Sequence, residues 1–189
     1  MRNRPADETS KQRFDEIVLP NLDAALSLAH WLTGNISDGE DVVQEAAIRA
    51  FTAIASYRDG SPKAWLLTIV RNTAFSWLRK NRPKMLLVTD DDSVFEQALD
   101  NGLDHRQCAS PVAALIAKAE AKSVQDAIAA LPITYREIIV LREIDELSYR
   151  EIADVTGVPI GTVMSRLSRA RGLLVERLGR AEHWKQGAA

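Results

Sequence analysis

One cysteine, Cys108, stands among the 189 residues. No internal disulfide can form, and a reducing cytoplasmic setting is expected. No run of eighteen apolar residues is present, which leaves no candidate membrane-spanning helix and no membrane insertion. The stretch from Met1 to Gln12 is polar and lacks the apolar core of a secretory signal. Glycine-rich phosphate loops and nucleophile motifs are missing. The three histidines (His30, His105, His183) are scattered, and His105 with Cys108 has no second pair at metal-ligand spacing. No enzyme, metal site or cofactor is therefore expected. Net charge is −2, so the chain as a whole is no basic nucleic-acid binder, and any such contact must come from local patches. Alternating β-branched runs bounded by turns are lacking too, which argues against strands.

What remains is ordinary soluble material, 46% apolar and 26% charged. The length fits one or two domains of ~150 residues each. Charge is uneven: residues 83–122 hold 4 basic and 7 acidic side chains, whereas 123–189 hold 9 of each. The middle stretch carries Asp90-Asp91-Asp92, Gly102 and two prolines, Pro83 and Pro111, without a sustained helical stripe. It reads as a flexible acidic linker. The expectation is an all-α fold of two small helical domains, residues 1–82 and 112–189, joined by a linker over 83–111.

Helix punctuation is dense. Ser37 with Glu40 has capping-box spacing before Val42, Val43, Ala46, Ala47, Ala50, Phe51 and Ile54. Gly34 ends a helix from about Leu22 to Thr33. Ser61-Pro62 opens another that runs to about Lys80, and Pro83 bars its continuation. Further on, Ser110-Pro111 opens a helix to about Ala130, Thr134 with Glu137 caps the next, and Ser148 with Glu151 caps the one after.

Residues 148–171 read SYREIADVTGVPIGTVMSRLSRAR. A short capped helix from Tyr149 to Thr156 meets a turn at Gly157-Val158-Pro159, and a long helix follows from Thr162 to about Arg180. Ile152, Ala153, Val158, Val163 and Leu167 are placed to form a small core. This is a helix-turn-helix, whose second helix enters the major groove. Val163, Leu167, Ala170 and Leu174 recur at spacings of three and four and face inward. Ser165, Arg166, Ser168, Arg169 and Arg171 are left on other faces, where Arg suits guanine edges or phosphates. The same pattern also fits a solvated Arg-rich face.

The helix after Pro62 reads PKAWLLTIVRNTAFSWLRK. Leu66, Ile69, Val70, Thr73 and Trp77 form one stripe expected to be buried. Thr68, Asn72, Phe75 and Arg79 form a second, flanked by Arg71. Stacking ring, amide and cations together suit single-stranded or melted nucleic acid. Phe75 could equally belong to the core.

Three segments carry a family resemblance together: DGEDVVQEAAIRAF from Asp38, AWLLTIVRNTAFSWLRK from Ala64, and LPITYREIIVLREIDELSYREIADVTGVPIGTVMSRLSRARGLL from Leu131. In that order they resemble a bacterial RNA polymerase sigma factor of the extracytoplasmic-function type over roughly residues 14–82 and 112–180. A lone helix-turn-helix is weak evidence, but the combined order is specific. The resemblance implies an alternative sigma factor with core RNA polymerase and promoter DNA as partners, and commonly an anti-sigma factor. By the same resemblance Asp38, Glu40, Asp41, Val42, Gln44 and Glu45 match the helix that docks on core polymerase. Carboxylates near a helix start also offset its dipole. The −10 element falls to Tyr57, Lys63, Trp65, Thr68, Arg71, Asn72, Thr73, Phe75 and Arg79, with Asn72 the best candidate for a flipped base. The −35 duplex falls to Thr162, Met164, Ser165, Arg166, Ser168, Arg169 and Arg171. An autonomous helix-turn-helix regulator would leave the first domain without a role.

Overall fold

Local chemistry sets the helix ends. The computed structural model describes residues 4–86 and 121–187. Helix α1 spans Arg4–Val18, α2 Leu22–Thr33, α3 Ile36–Ala53 and α4 Pro62–Asn81. Within the described residues a helix covers 121–129 (α5), followed by α6 (Ile133–Ile139), a π-helical turn at Val140–Ile144, α7 (Tyr149–Thr156) and α8 (Ile160–Gly187). No strand occurs among the described residues. Most of the linker expected over 83–111, and the helix opening at Ser110-Pro111, lie outside them.

Gly34 and Gly157 end α2 and α7 at φ 71° and 70°, left-handed geometry that glycine adopts without a Cβ penalty. Ser61 accepts from the Ala64 N–H. Ser148 and Glu151 form a complete capping box. Two expected caps are differently built. Asn35, not Ser37, caps α3 by accepting from the Asp38 N–H at 3.2 Å. Thr134 caps nothing, because α6 begins at Ile133 after Pro132, and Glu137 turns its side chain elsewhere. Helix α8 starts at Ile160, two residues before the expected Thr162.

Helices α2, α3 and α4 pack on one another around Leu28, Leu32, Val42, Ala46, Leu67, Val70 and Leu78. Gly39 lets α3 approach α2 closely: a Cβ there would sit 3.1 Å from the His30 backbone. The second half packs α6, α7 and α8 around Ile138, Leu141, Ile152, Val163 and Leu167. The two helical regions share one continuous apolar core, with α6 against α2 and α7 against α4. Sequence patterning assigned each region a core of its own and gave no reason for this joint.

Candidate nucleic-acid interface

Helix α3 presents Glu40, Asp41, Gln44 and Glu45 on its exposed side. Val42 lies in the core at 1% exposure, so its side chain is no part of that surface. Asp38 is half-buried and engaged: Arg82 reaches it at 2.8 Å while also donating to the Thr33 carbonyl at 3.0 Å. Glu45 pairs with Arg49 one turn on. Ile48, 69% exposed, follows Asp41 by seven residues and Gln44 by four, so it shares their face. Sequence reading passed over it, although its position outside the buried 42/43/46/50 stripe marks it. Phe51, expected in the apolar stripe, is 41% exposed and meets Phe14 edge to face at 5.5 Å.

The loop before α4 is held from both ends. The Tyr57 hydroxyl donates to the Gly60 carbonyl at 2.8 Å, and Arg13 donates to the Tyr57 carbonyl at 2.8 Å. The Tyr57 ring lies 5.2 Å from that of Trp65. On α4, Asn72 and Arg79 are exposed, while Thr68, Arg71 and Phe75 are half-buried. The Arg71 guanidinium lies over the Phe75 ring at 4.5 Å, a cation–π arrangement. Thr73 is buried, and its hydroxyl donates back to the Ile69 carbonyl at 2.8 Å. The buried stripe of this helix runs through Leu66, Leu67, Val70, Thr73, Ala74 and Leu78; Ile69 and Trp77 are only half-buried.

On α8, Val163, Leu167 and Ala170 point inward as expected. Met164, Ser165, Ser168, Arg169 and Arg171 are exposed, and Thr162 is half-buried. Met164 is an apolar side chain 53% open to solvent on α8. Arg166 is half-buried and lies close enough to Glu137 to attract it. Arg171 is drawn to Glu143, 2.6 Å away, which raises its pKa through hydrogen bonding and charge.

Three charged side chains of 136–145 are buried. Burial pushes the Glu137 carboxyl up, and Arg71 and Arg166 pull it back. Burial raises Asp145 to about 7 against the pull of Lys63. Burial lowers Arg136 to about 10. Arg71 forms an ion pair with Glu137 across the joint between the regions. Arg136 donates to the Trp31 carbonyl at 3.1 Å, and Lys63 to the Asp145 carbonyl at 2.5 Å. The Ser61 hydroxyl also reaches the Glu151 carboxylate. Among the described residues no cluster of histidine, cysteine and carboxylates could hold a metal ion. No helix there is long and apolar enough to cross a membrane.

Two family models match this architecture: sigma-70 region 2 over residues 17–84 and sigma-70 region 4 over residues 121–174. The ECF RNA polymerase sigma factor SigW of Bacillus subtilis is 33% identical over 172 residues, covering 87% of this chain and 88% of its own. The ECF sigma-E factor of Escherichia coli is 37% identical over 137 residues, covering 71% and 70%. Among solved structures, Bartonella quintana RpoE bound to the anti-sigma factor NepR matches with a TM-score of 0.67 at 30% identity, covering 88% of this chain and 96% of that one. CnrH, solved with the cytosolic domain of CnrY, shares the fold at a TM-score of 0.58 and 24% identity, over 92% and 97% of the two chains. The chain belongs to the ECF family of RNA polymerase sigma factors.

Proposed function

We propose that the protein docks on core RNA polymerase through the exposed acidic face of α3, reads a −35 duplex with α8 and captures melted −10 bases along α4. The observation that carries this is the presence, in one chain, of a groove-sized helix with Ser165, Ser168 and Arg169 exposed and a separate helix offering Asn72, Phe75 and Arg79. Duplex and single strand need different chemistry. Base edges in a major groove take Arg and Ser hydrogen bonds, whereas unstacked bases take rings, amides and cations. Opening a base step costs a few kcal/mol, so the α4 face must return that through stacking on Phe75 or Trp65 and an amide contact from Asn72. The −10 and −35 regions lie at the two ends of the chain, residues 1–82 and 112–189.

The protein performs no chemistry itself; polymerase supplies the reaction. Its place of action is the cytoplasm. An anti-sigma factor is the expected regulator, in keeping with the similar Bartonella quintana RpoE solved in complex with the anti-sigma factor NepR.

The test is a run-off transcription assay with purified core polymerase and genomic promoter fragments. Discrete start sites are expected only when protein and core are both present. Asp41→Arg is expected to weaken holoenzyme assembly at least tenfold with the fold intact. Strong duplex binding by the protein alone, without any transcript, would mark an autonomous regulator instead.

A further inference from the structure

Helix α1 carries none of the groups assigned above to polymerase or DNA, and its Arg13 and Phe14 precede residue 17, where the match to sigma-70 region 2 begins. Yet α1 lies against α3 and α4, and against the short 3-10 turn at Ile54–Ser56 that leads into the loop before α4. Two side chains make separate contacts there. Phe14 meets Phe51 of α3 edge to face. Arg13 donates to the Tyr57 carbonyl at 2.8 Å, across 44 residues of chain. The helix is seated without Arg13, because Val18 is 1% exposed and Phe14 has its ring partner. The guanidinium contact therefore acts on the loop more than on α1.

The Tyr57 carbonyl shares one planar peptide unit with the Arg58 N–H, so holding its oxygen fixes how the chain leaves Tyr57. From there the loop closes on itself. The Tyr57 hydroxyl donates to the Gly60 carbonyl at 2.8 Å, and Gly60 turns at φ 113°, a conformation open to glycine. Ser61 caps α4 by accepting from the Ala64 N–H at 3.3 Å. The Tyr57 ring lies beside Trp65, and Arg58 and Asp59 are exposed at the tip. Arg13 thus holds the entry of the loop and Ser61 its exit. A charged donor makes a stronger hydrogen bond than a neutral one. A base taken out of its stack must be met by a surface that repays the cost. A loop that ordered only at that moment would subtract its lost freedom from the affinity.

We propose that Arg13 is a positioning residue for −10 DNA: through the Tyr57 carbonyl it fixes the loop over Tyr57–Ser61 in the conformation that receives an unstacked base beside Trp65. This rests on the assignment of the loop and α4 to −10 DNA made above. Arg13 itself touches no base, and its effect on DNA passes through the loop backbone.

The test uses the full chain with core polymerase on a promoter found in the run-off assay. That promoter is supplied as ordinary duplex and again with mismatches that hold the −10 bases open. Arg13→Met keeps the aliphatic stem and removes the donors, whereas Arg13→Lys keeps a charged donor. Circular dichroism checks the fold, and core binding is titrated for each variant. Permanganate reactivity of the −10 thymines reports opening. On duplex, Arg13→Met is expected to open about tenfold less promoter than wild type, and Arg13→Lys about threefold less at most. On the mismatched promoter, where unstacking is already done, Arg13→Met is expected to give transcript within about twofold of wild type. Core affinity is expected to stay the same. Wild-type opening of the duplex by folded Arg13→Met overturns the proposal, as does an Arg13→Lys no better than Arg13→Met. An equal loss on both templates, weakened core binding or a lost fold overturns it too, since each marks a role in holding the domain and not the loop. If wild type itself gives no transcript from either template, the assignment to −10 DNA has failed, and this proposal with it.

Discussion

Asp145 shows what burial does to one side chain. The residue is 4% exposed, one carboxyl oxygen has no hydrogen-bond partner, and burial raises its pKa to about 7 from an ordinary 3.8. The folded protein therefore holds a proton that the unfolded chain releases between about pH 4 and 7. By linkage, stability falls as pH rises through that window and loses nothing further above it. Glu137 is shifted in the same direction, again by burial. Glu151, held low by Ser148, acts the opposite way, but only below its ordinary 4.5. Urea unfolding at pH 5.5 and pH 8 is expected to show higher stability at the lower pH, by about 1–3 kcal/mol. Asp145→Asn is expected to flatten that difference; an unchanged slope would assign it to Glu137. Gly39 is a second single-residue constraint. Its missing Cβ is what lets α3 sit against the α2 backbone, which has no side-chain freedom with which to give way. Gly39→Ala is expected to cost about 1–3 kcal/mol through overpacking, read as a lower urea midpoint at constant m.

The helix-turn-helix is an element whose stability and specificity come from different faces. Its entry is fixed by the Ser148–Glu151 capping box, so Ser148→Ala is expected to cost about 1 kcal/mol and lower Tm by ~2–4 °C. The readout proposed for it falls to the exposed face of α8. Arg169→Ala is expected to weaken promoter competition by about 1–3 kcal/mol if the guanidinium forks onto a guanine edge. Equal competition by wild type and variant would take Arg169 off the reading face. The turn before α7 carries its own strain. Glu146 sits at φ 58°, a conformation in which a Cβ crowds the backbone. Glu146→Gly is expected to leave stability unchanged or raise it slightly, since relief of that crowding offsets the extra freedom of the unfolded chain.

At the scale of the whole molecule, one core joins both helical regions, so they are expected to melt together. Of the four tryptophans, Trp31, Trp65 and Trp77 lie in α2 and α4, so in a Trp184→Phe background tryptophan fluorescence reports the first region. Far-UV circular dichroism reports both. The two signals are expected to coincide, as a two-state transition requires. Ile152→Ala, in α7, should cost about 2–5 kcal/mol and lower the tryptophan-detected midpoint as well. A tryptophan transition left in place by that change would show that the regions unfold separately. Cohesion of this kind also bears on non-specific DNA affinity. With net charge −2, and with Arg71, Lys63 and Arg171 already engaged internally, those three groups add little to counterion release from a random duplex.

Sequence alone determined the helical class, most helix ends and the helix-turn-helix. These follow from local rules: Gly34 and Gly157 supply left-handed stops, Ser61 and Ser148 supply caps, and Val163, Leu167 and Ala170 repeat at helical spacing. The order of the three quoted segments was likewise enough to indicate the family. Tertiary structure decided which candidates reach solvent. Val42 and Thr73 point into the core, as the apolar stripes of α3 and α4 had placed them, which takes their side chains off the docking and −10 faces that the family resemblance assigned to them. Ile48 is exposed because it lies outside the 42/43/46/50 stripe, whereas Phe51, expected within the stripe, came out exposed because helix phase against a partner cannot be set from one strip of sequence. Glu137 had the spacing of a cap to Thr134 and became instead the partner of Arg71, 66 residues away. No periodicity records a pairing at that separation. It depends on how two amphipathic surfaces meet, and so on the whole chain.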